Sequence, residues 1–97
     1  METRDYELIF IMPPTLAEDE ISEVEETVTG WISSHEGEIT KNSHWGRRRL
    51  AYPIQNYKEG YYILFEMKTN PDSIKDIERR IRLYDPIIRH LVVRIDH

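Results

Sequence analysis

The chain has 97 residues, 32% of them charged, with 18 acidic and 13 basic side chains for a net charge of −5. That length suits one domain with one core, burying roughly two-thirds of the surface its unfolded chain exposes. With no cysteine there is no disulfide framework, thiolate nucleophile or cysteine-ligated zinc, which suits a reducing compartment. No apolar run approaches the ~20 residues of a membrane helix, and the acidic start is unlike a signal or transit peptide. The expected location is the cytoplasm.

Charge is split along the chain. Residues 1–40 carry eleven acidic side chains and one basic, for −10, and residues 41–97 carry seven acidic and twelve basic, for +5. Binding to nucleic acid depends on how many phosphates local Lys and Arg neutralise, not on the net charge. An acidic chain so polarised can bind RNA weakly alone and better beside a basic partner.

Residues 6–12 alternate as a strand, with Tyr6, Leu8, Phe10 and Met12 on one face and Asp5, Glu7, Ile9 and Ile11 on the other. Pro13-Pro14 ends it. Thr15-Leu16-Ala17-Glu18 has capping-box spacing, and Ile21, Val24, Val28, Trp31 and Ile32 then recur at helical spacing. Glu18, Glu20, Glu23, Glu25 and Glu26 read as a solvated helix face. Gly30 costs about 1 kcal/mol relative to Ala inside a helix, which close packing would justify. Gly37 is expected as a left-handed cap.

Residues 38–54 form a long polar strand or strand pair, expected at a sheet edge and closed by Pro53. A turn over 55–60 leads to a strand over 61–69. Tyr61, Ile63, Phe65 and Met67 share one of its faces, and Tyr62, Leu64, Glu66 and Lys68 the other. Asn70 caps a second helix with Pro71 at its first position and a stripe of Ile74, Ile77, Ile81 and Tyr84. Asp76 with Arg80 and Glu78 with Arg82 are spaced as charge pairs. Asp85-Pro86 breaks this helix. Residues 87–95 are apolar on both sides apart from Arg89, His90 and Arg94, as expected of a covered inner or paired strand. The order strand, helix, two strands, helix, strand predicts an α+β ferredoxin-like split β-α-β domain over residues 1–97. Its four-stranded antiparallel sheet would carry both helices on one face.

The segment Trp45-Gly46-Arg47-Arg48-Arg49-Leu50-Ala51-Tyr52-Pro53-Ile54 concentrates the chemistry. Arg forks match phosphate oxygens, and aromatic faces stack on exposed bases. A bare Arg run is more often a solvated strand end, so the full string matters. Gly-Arg-Arg-Arg-Leu-Ala-Tyr-Pro-Ile resembles the signature of the bacterial small-subunit ribosomal protein S6 family. Trp45, Gly60-Tyr61-Tyr62 and Arg4-Asp5-Tyr6-Glu7 are also similar to that family, and the resemblance runs from about Tyr6 to Arg94. Gln55, where Lys, Arg, Asn or Ser is commoner, and the lack of a charged tail beyond His97 depart from it.

The resemblance implies the same fold and a structural, non-enzymatic role. It implies binding to the central domain of small-subunit ribosomal RNA as a heterodimer with the basic ribosomal protein S18. The RNA-facing candidates are Arg47, Arg48 and Arg49, with Trp45 and Tyr52 around them and Arg89, His90 and Arg94 as second choices. Alternation sends Arg47 and Arg49 to one face and Arg48 to the other. Ile9, Ile11, Tyr62, Leu64, Leu91 and Val93 are expected on the helix-free face as the partner surface.

Other chemistries lack their parts. His35, His44, His90 and His97 have no ligand-like spacing, so no metal is expected. No cofactor, small-molecule substrate or membrane is expected either. Acylphosphatases share this architecture, but their phosphate loop needs Gly and Arg where this chain has Met12-Pro13-Pro14-Thr15. Adjacent Tyr61 and Tyr62 point to opposite faces and break the register of the RNA-recognition-motif octapeptide. The alternative from another class is a ferredoxin-like interaction or ligand-sensing module that pairs with itself through the open sheet.

Overall fold

The computed structural model describes residues 2–95, so His97 lies outside the described residues. The elements are β1 (Arg4–Met12), α1 (Glu18–Ser34), β2 (Glu38–Ile54), β3 (Tyr57–Thr69), α2 (Pro71–Arg82) and β4 (Arg89–Ile95). All strand pairs are antiparallel, in the order β2-β3-β1-β4. This is the predicted ferredoxin-like sheet. β4 pairs only with β1, so of the two expectations it is the paired strand, at an edge, and not a covered inner one.

Both helices close one face. Leu8, Phe10 and Met12 of β1 and Ile63, Phe65 and Met67 of β3 pack with Val24, Val28, Ile32, Ile77 and Ile81 in one core. Phe10 and Phe65 meet edge to face at 5.2 Å, and Trp31 and Tyr84 do so at 5.3 Å, tying α1 to the segment just after α2.

Local signals hold with shifts. The α1 N-cap is Ala17, and Glu20 Oε1 accepts from its N–H at 3.0 Å, so Thr15 has no part in the cap. At the other end Glu36 N–H donates to Ser33 O and Gly37 N–H to Ile32 O, a Schellman arrangement. Glu36, with φ 60°, takes the left-handed position expected of Gly37. Gly37 is needed for proximity instead, since a Cβ there would lie 2.7 Å from Ile32 Cγ2. Gly30 has nothing within 4 Å of a built Cβ, so no close packing explains it. On α2, Asp76 pairs with Arg79 at 3.9 Å and His35 at 3.7 Å rather than with Arg80, because its carboxylate turns towards the end of α1. Glu78 and Arg82 do pair, at 3.8 Å.

The β2–β3 hairpin is longer than sequence indicates. Its turn is only Gln55-Asn56, with φ 51° and 71°, as a two-residue type I′ connection requires. Pro53 therefore does not close β2, and residues 57–60 belong to β3. The 17- and 13-residue arms outrun β1 and β4, giving a body of 41 × 26 × 22 Å.

Candidate RNA and partner interface

Residues directly opposed in an antiparallel ladder share a face. Ile9 stands opposite Leu64 and Leu91, Ile11 opposite Tyr62 and Arg89, and Glu7 opposite Glu66 and Val93. All six residues expected on the helix-free face therefore lie there, with Arg89 added. They are not equally open. Leu91 and Val93 are 55% and 44% exposed, whereas Ile11 and Leu64 are buried at 6%, and Ile9 and Tyr62 are half-buried. The hairpin end of β2 shelters part of this face. Leu50, Ala51, Tyr52 and Ile54 line a cleft of about 220 Å³ with Ile11, Tyr62 and Arg89. Gly60 leaves room for Ile11 on this face, because a Cβ there would overlap Ile11 Cγ2.

A bulge after His44 puts Trp45 out of register, with Gly46 at φ 79°. Trp45 stacks on Tyr62 at 6.2 Å between centroids and 16° between planes. Arg48 Cζ lies 5.4 Å from the Trp45 ring and Arg89 Cζ 5.3 Å from the Tyr52 ring. Arg89 Nη1 also donates to the Tyr52 hydroxyl. Two cation–π pairs and one ring stack thus rim one end of the open face.

The three arginines part as alternation requires. Arg48 stands opposite Gly60 on the open side, while Arg47 and Arg49 stand opposite Tyr61 and Glu59. Arg47 Nη2 donates to the Pro14 carbonyl at 2.9 Å, bracing the β1–α1 loop. Arg49 is exposed and has no hydrogen-bond or ion-pair partner among the described residues.

His90 and Arg94 do not join this group. Opposed to Phe10 and Tyr6, they lie on the helix side. His90 Nε2 is 3.7 Å from Glu78 Oε1. Burial lowers its pKa below 6.5; Glu78 pulls the other way and Arg82 adds to the lowering.

One polar cluster carries no sequence signal. Glu25 is not part of a solvated helix face: its Oε2 accepts from Asn42 Nδ2 at 2.8 Å and from His44 Nε2 at 2.5 Å. His44 Nδ1 is hydrogen-bonded to the Tyr61 hydroxyl at 3.0 Å. These bonds clamp β2 to α1 directly behind the Trp45 bulge. No three His, Asp or Glu converge as a metal site among the described residues. No helix among them is long and apolar enough to cross a membrane.

A ferredoxin-like sheet with one apolar face left open, rimmed by arginines and aromatics, presents a surface suited to binding. Residues 5–94 match the ribosomal protein S6 family. The small ribosomal subunit protein bS6 of Dehalococcoides mccartyi is 38% identical over 93 residues, 96% of this chain and 85% of that one. Its counterpart in Caldanaerobacter subterraneus subsp. tengcongensis is 40% identical over 93 residues, 96% of this chain and 98% of that one. The crystal structure of 30S ribosomal protein S6 from Thermotoga maritima superposes with a TM-score of 0.91 at 29% identity, covering 97% of this chain and 89% of that one. The chain belongs to the ribosomal protein S6 family, whose members are structural components of the small ribosomal subunit and not enzymes.

Proposed function

We propose that this chain is a single-domain constituent of the cytoplasmic small ribosomal subunit. It binds the central domain of the ribosomal RNA jointly with the basic protein S18. The observation that carries the reading is the helix-free face, where Leu91 and Val93 stay 55% and 44% exposed beside the arginine–aromatic rim. An apolar patch with a charged border suits a protein partner at its centre and phosphates at its edge. Ile9, Leu91 and Val93 are the partner contacts, with Tyr62 and Trp45 at the margin. Ile11 and Leu64, being buried, support that surface from below.

Among the arginines, Arg49 is the phosphate ligand, because Arg47 is engaged with Pro14 and Arg48 with Trp45. The net charge of −5 makes lone binding weak, and a basic partner supplies the missing cations.

Filter binding of a central-domain RNA fragment at fixed salt, with and without S18, tests this. Affinity should rise strongly when the partner is added. Tight binding by the chain alone, or no gain with the partner, refutes it. A stable self-dimer through the open face would favour an interaction module instead.

A further inference from the structure

We propose that the outer side of the hairpin bulge is a binding subsite for one unpaired nucleotide, with Tyr52 as stacking platform and Arg49 and Lys58 as the phosphate clamp. This deepens the RNA-binding reading above and rests on it. Lys58 is a residue that the sequence alone did not single out.

The ladder shows why the subsite forms. Arg49 pairs with Glu59 and Ile54 with Tyr57, so residues 50–53 face the single residue Lys58. The surplus chain bows outward into a cleft of about 200 Å³, lined by Arg49, Leu50, Ala51, Tyr52, Pro53 and Lys58. Tyr52 lines both this cleft and the inner one that contains Arg89. Its ring is therefore a partition. Arg89 holds the inner side by a cation–π contact at 5.3 Å and a bond to the hydroxyl. The residue nonetheless remains 54% exposed.

A ring held from behind by a guanidinium is a positioned plane, and its outer face is open to a base. The charges at the rim agree. Arg47, Arg48 and Arg89 each have a partner. Arg49 and Lys58, the two cations flanking this cleft, have no hydrogen-bond or ion-pair partner among the described residues. Glu59, opposite Arg49 in the ladder, does not line the cleft. An aromatic plane between two free cations fits a base with its phosphates, and it meets a base only when that base is unstacked. An acidic peptide would satisfy the cations but leave the ring without a planar partner.

Residue-resolved NMR of the full chain decides the matter, with single-stranded hexa-adenylate as the probe. A mixed-sequence RNA duplex, tripolyphosphate and hexaglutamate peptide serve as comparisons. Hexa-adenylate should move the Tyr52 ring and Pro53 signals upfield and shift Arg49, Ala51 and Lys58. Tripolyphosphate should shift the two cations but not the ring. Tyr52→Leu should weaken hexa-adenylate binding about five- to a hundredfold, and Tyr52→Trp should retain it. Lys58→Gln and Arg49→Gln should each flatten the salt dependence by about 0.7 in logarithmic slope.

The exposed position of Tyr52 keeps these variants folded, which their amide spectra verify. Perturbation centred elsewhere, equal ring shifts from hexaglutamate or the duplex, or an unchanged Tyr52→Leu affinity overturns the subsite. No S18 or ribosomal RNA enters this assay. Its failure with joint RNA binding intact removes the subsite alone, and loss of joint binding with these shifts intact removes the broader reading alone.

Discussion

On β1, Leu8, Phe10 and Met12 are wholly buried, and their neighbours Ile9 and Ile11 point the opposite way with similar apolar character. The first set faces two helices. The second faces β2's curled end over Ile11 and open solvent towards Leu91 and Val93, which remain 55% and 44% exposed. Hydrophobicity is thus comparable on the two faces, and closure is not. The closed face buries its apolar area against the helices, while the open face leaves part of its own in contact with solvent.

The sharpest way to break the comparison is to truncate one residue on each side. Phe65→Ala on the closed face should cost about 3–5 kcal/mol, since it removes a ring packed on Phe10 and leaves a cavity. Leu91→Ala on the open face should stay within about 0.5 kcal/mol. Urea unfolding of both variants measures the contrast, and equal losses would abolish the distinction.

Leu91→Asp should leave the chain folded but weaken heterodimer formation with S18 by about 1–3 kcal/mol or more, because a carboxylate would be buried unpaired. Circular dichroism and size exclusion follow the two properties. Leu64→Asp does not make the same test: at 6% exposure it should lower stability as well.

The clamp behind the bulge links the two faces. Glu25→Gln and His44→Ala should each cost about 1–2 kcal/mol, and their double-mutant cycle should reveal coupling of about 0.5 kcal/mol or more. Trp45 fluorescence should change with them, as the bulge loses its anchor. Additive losses would mean that the 2.5 Å contact contributes nothing.

Gly30→Ala should raise stability by about 0.5–1 kcal/mol, since the site is exposed and a Cβ there meets nothing within 4 Å. Thermal melts would show it, and a fall would point to an unseen constraint.

The smallest effect concerns His90. Its folded pKa lies below 6.5, so between those values the unfolded chain binds more protons than the folded one. Its contribution is fully present above about pH 6.5 and is lost as pH falls towards the folded pKa. His90→Gln should therefore flatten the slope of stability against pH in that window, and an unchanged slope would refute the burial argument.

Much was legible in the residues. Period-two alternation assigned β1 and β3 to their faces, and Asn70-Pro71 marked the start of α2. Alternation also separated Arg48 from Arg47 and Arg49, because strand geometry alone imposes it. The polarity of β2 placed it at an edge. By contrast, the apolar composition of β4 did not separate an inner strand from a paired edge, and its pairing with β1 alone makes it an edge.

The sequence by itself determined the order of elements, the closed core and the family, because these rest on local periodicity and a contiguous motif. Only the tertiary structure decided which arginine is free. Pro14 engages Arg47 from across the β1–α1 loop, and the bulge after His44 brings Trp45 against Arg48. The same holds for Lys58, Tyr52 and Arg89. Their grouping depends on a two-residue turn and a four-against-one bulge setting the register, and register is a property of paired strands rather than of either strand alone.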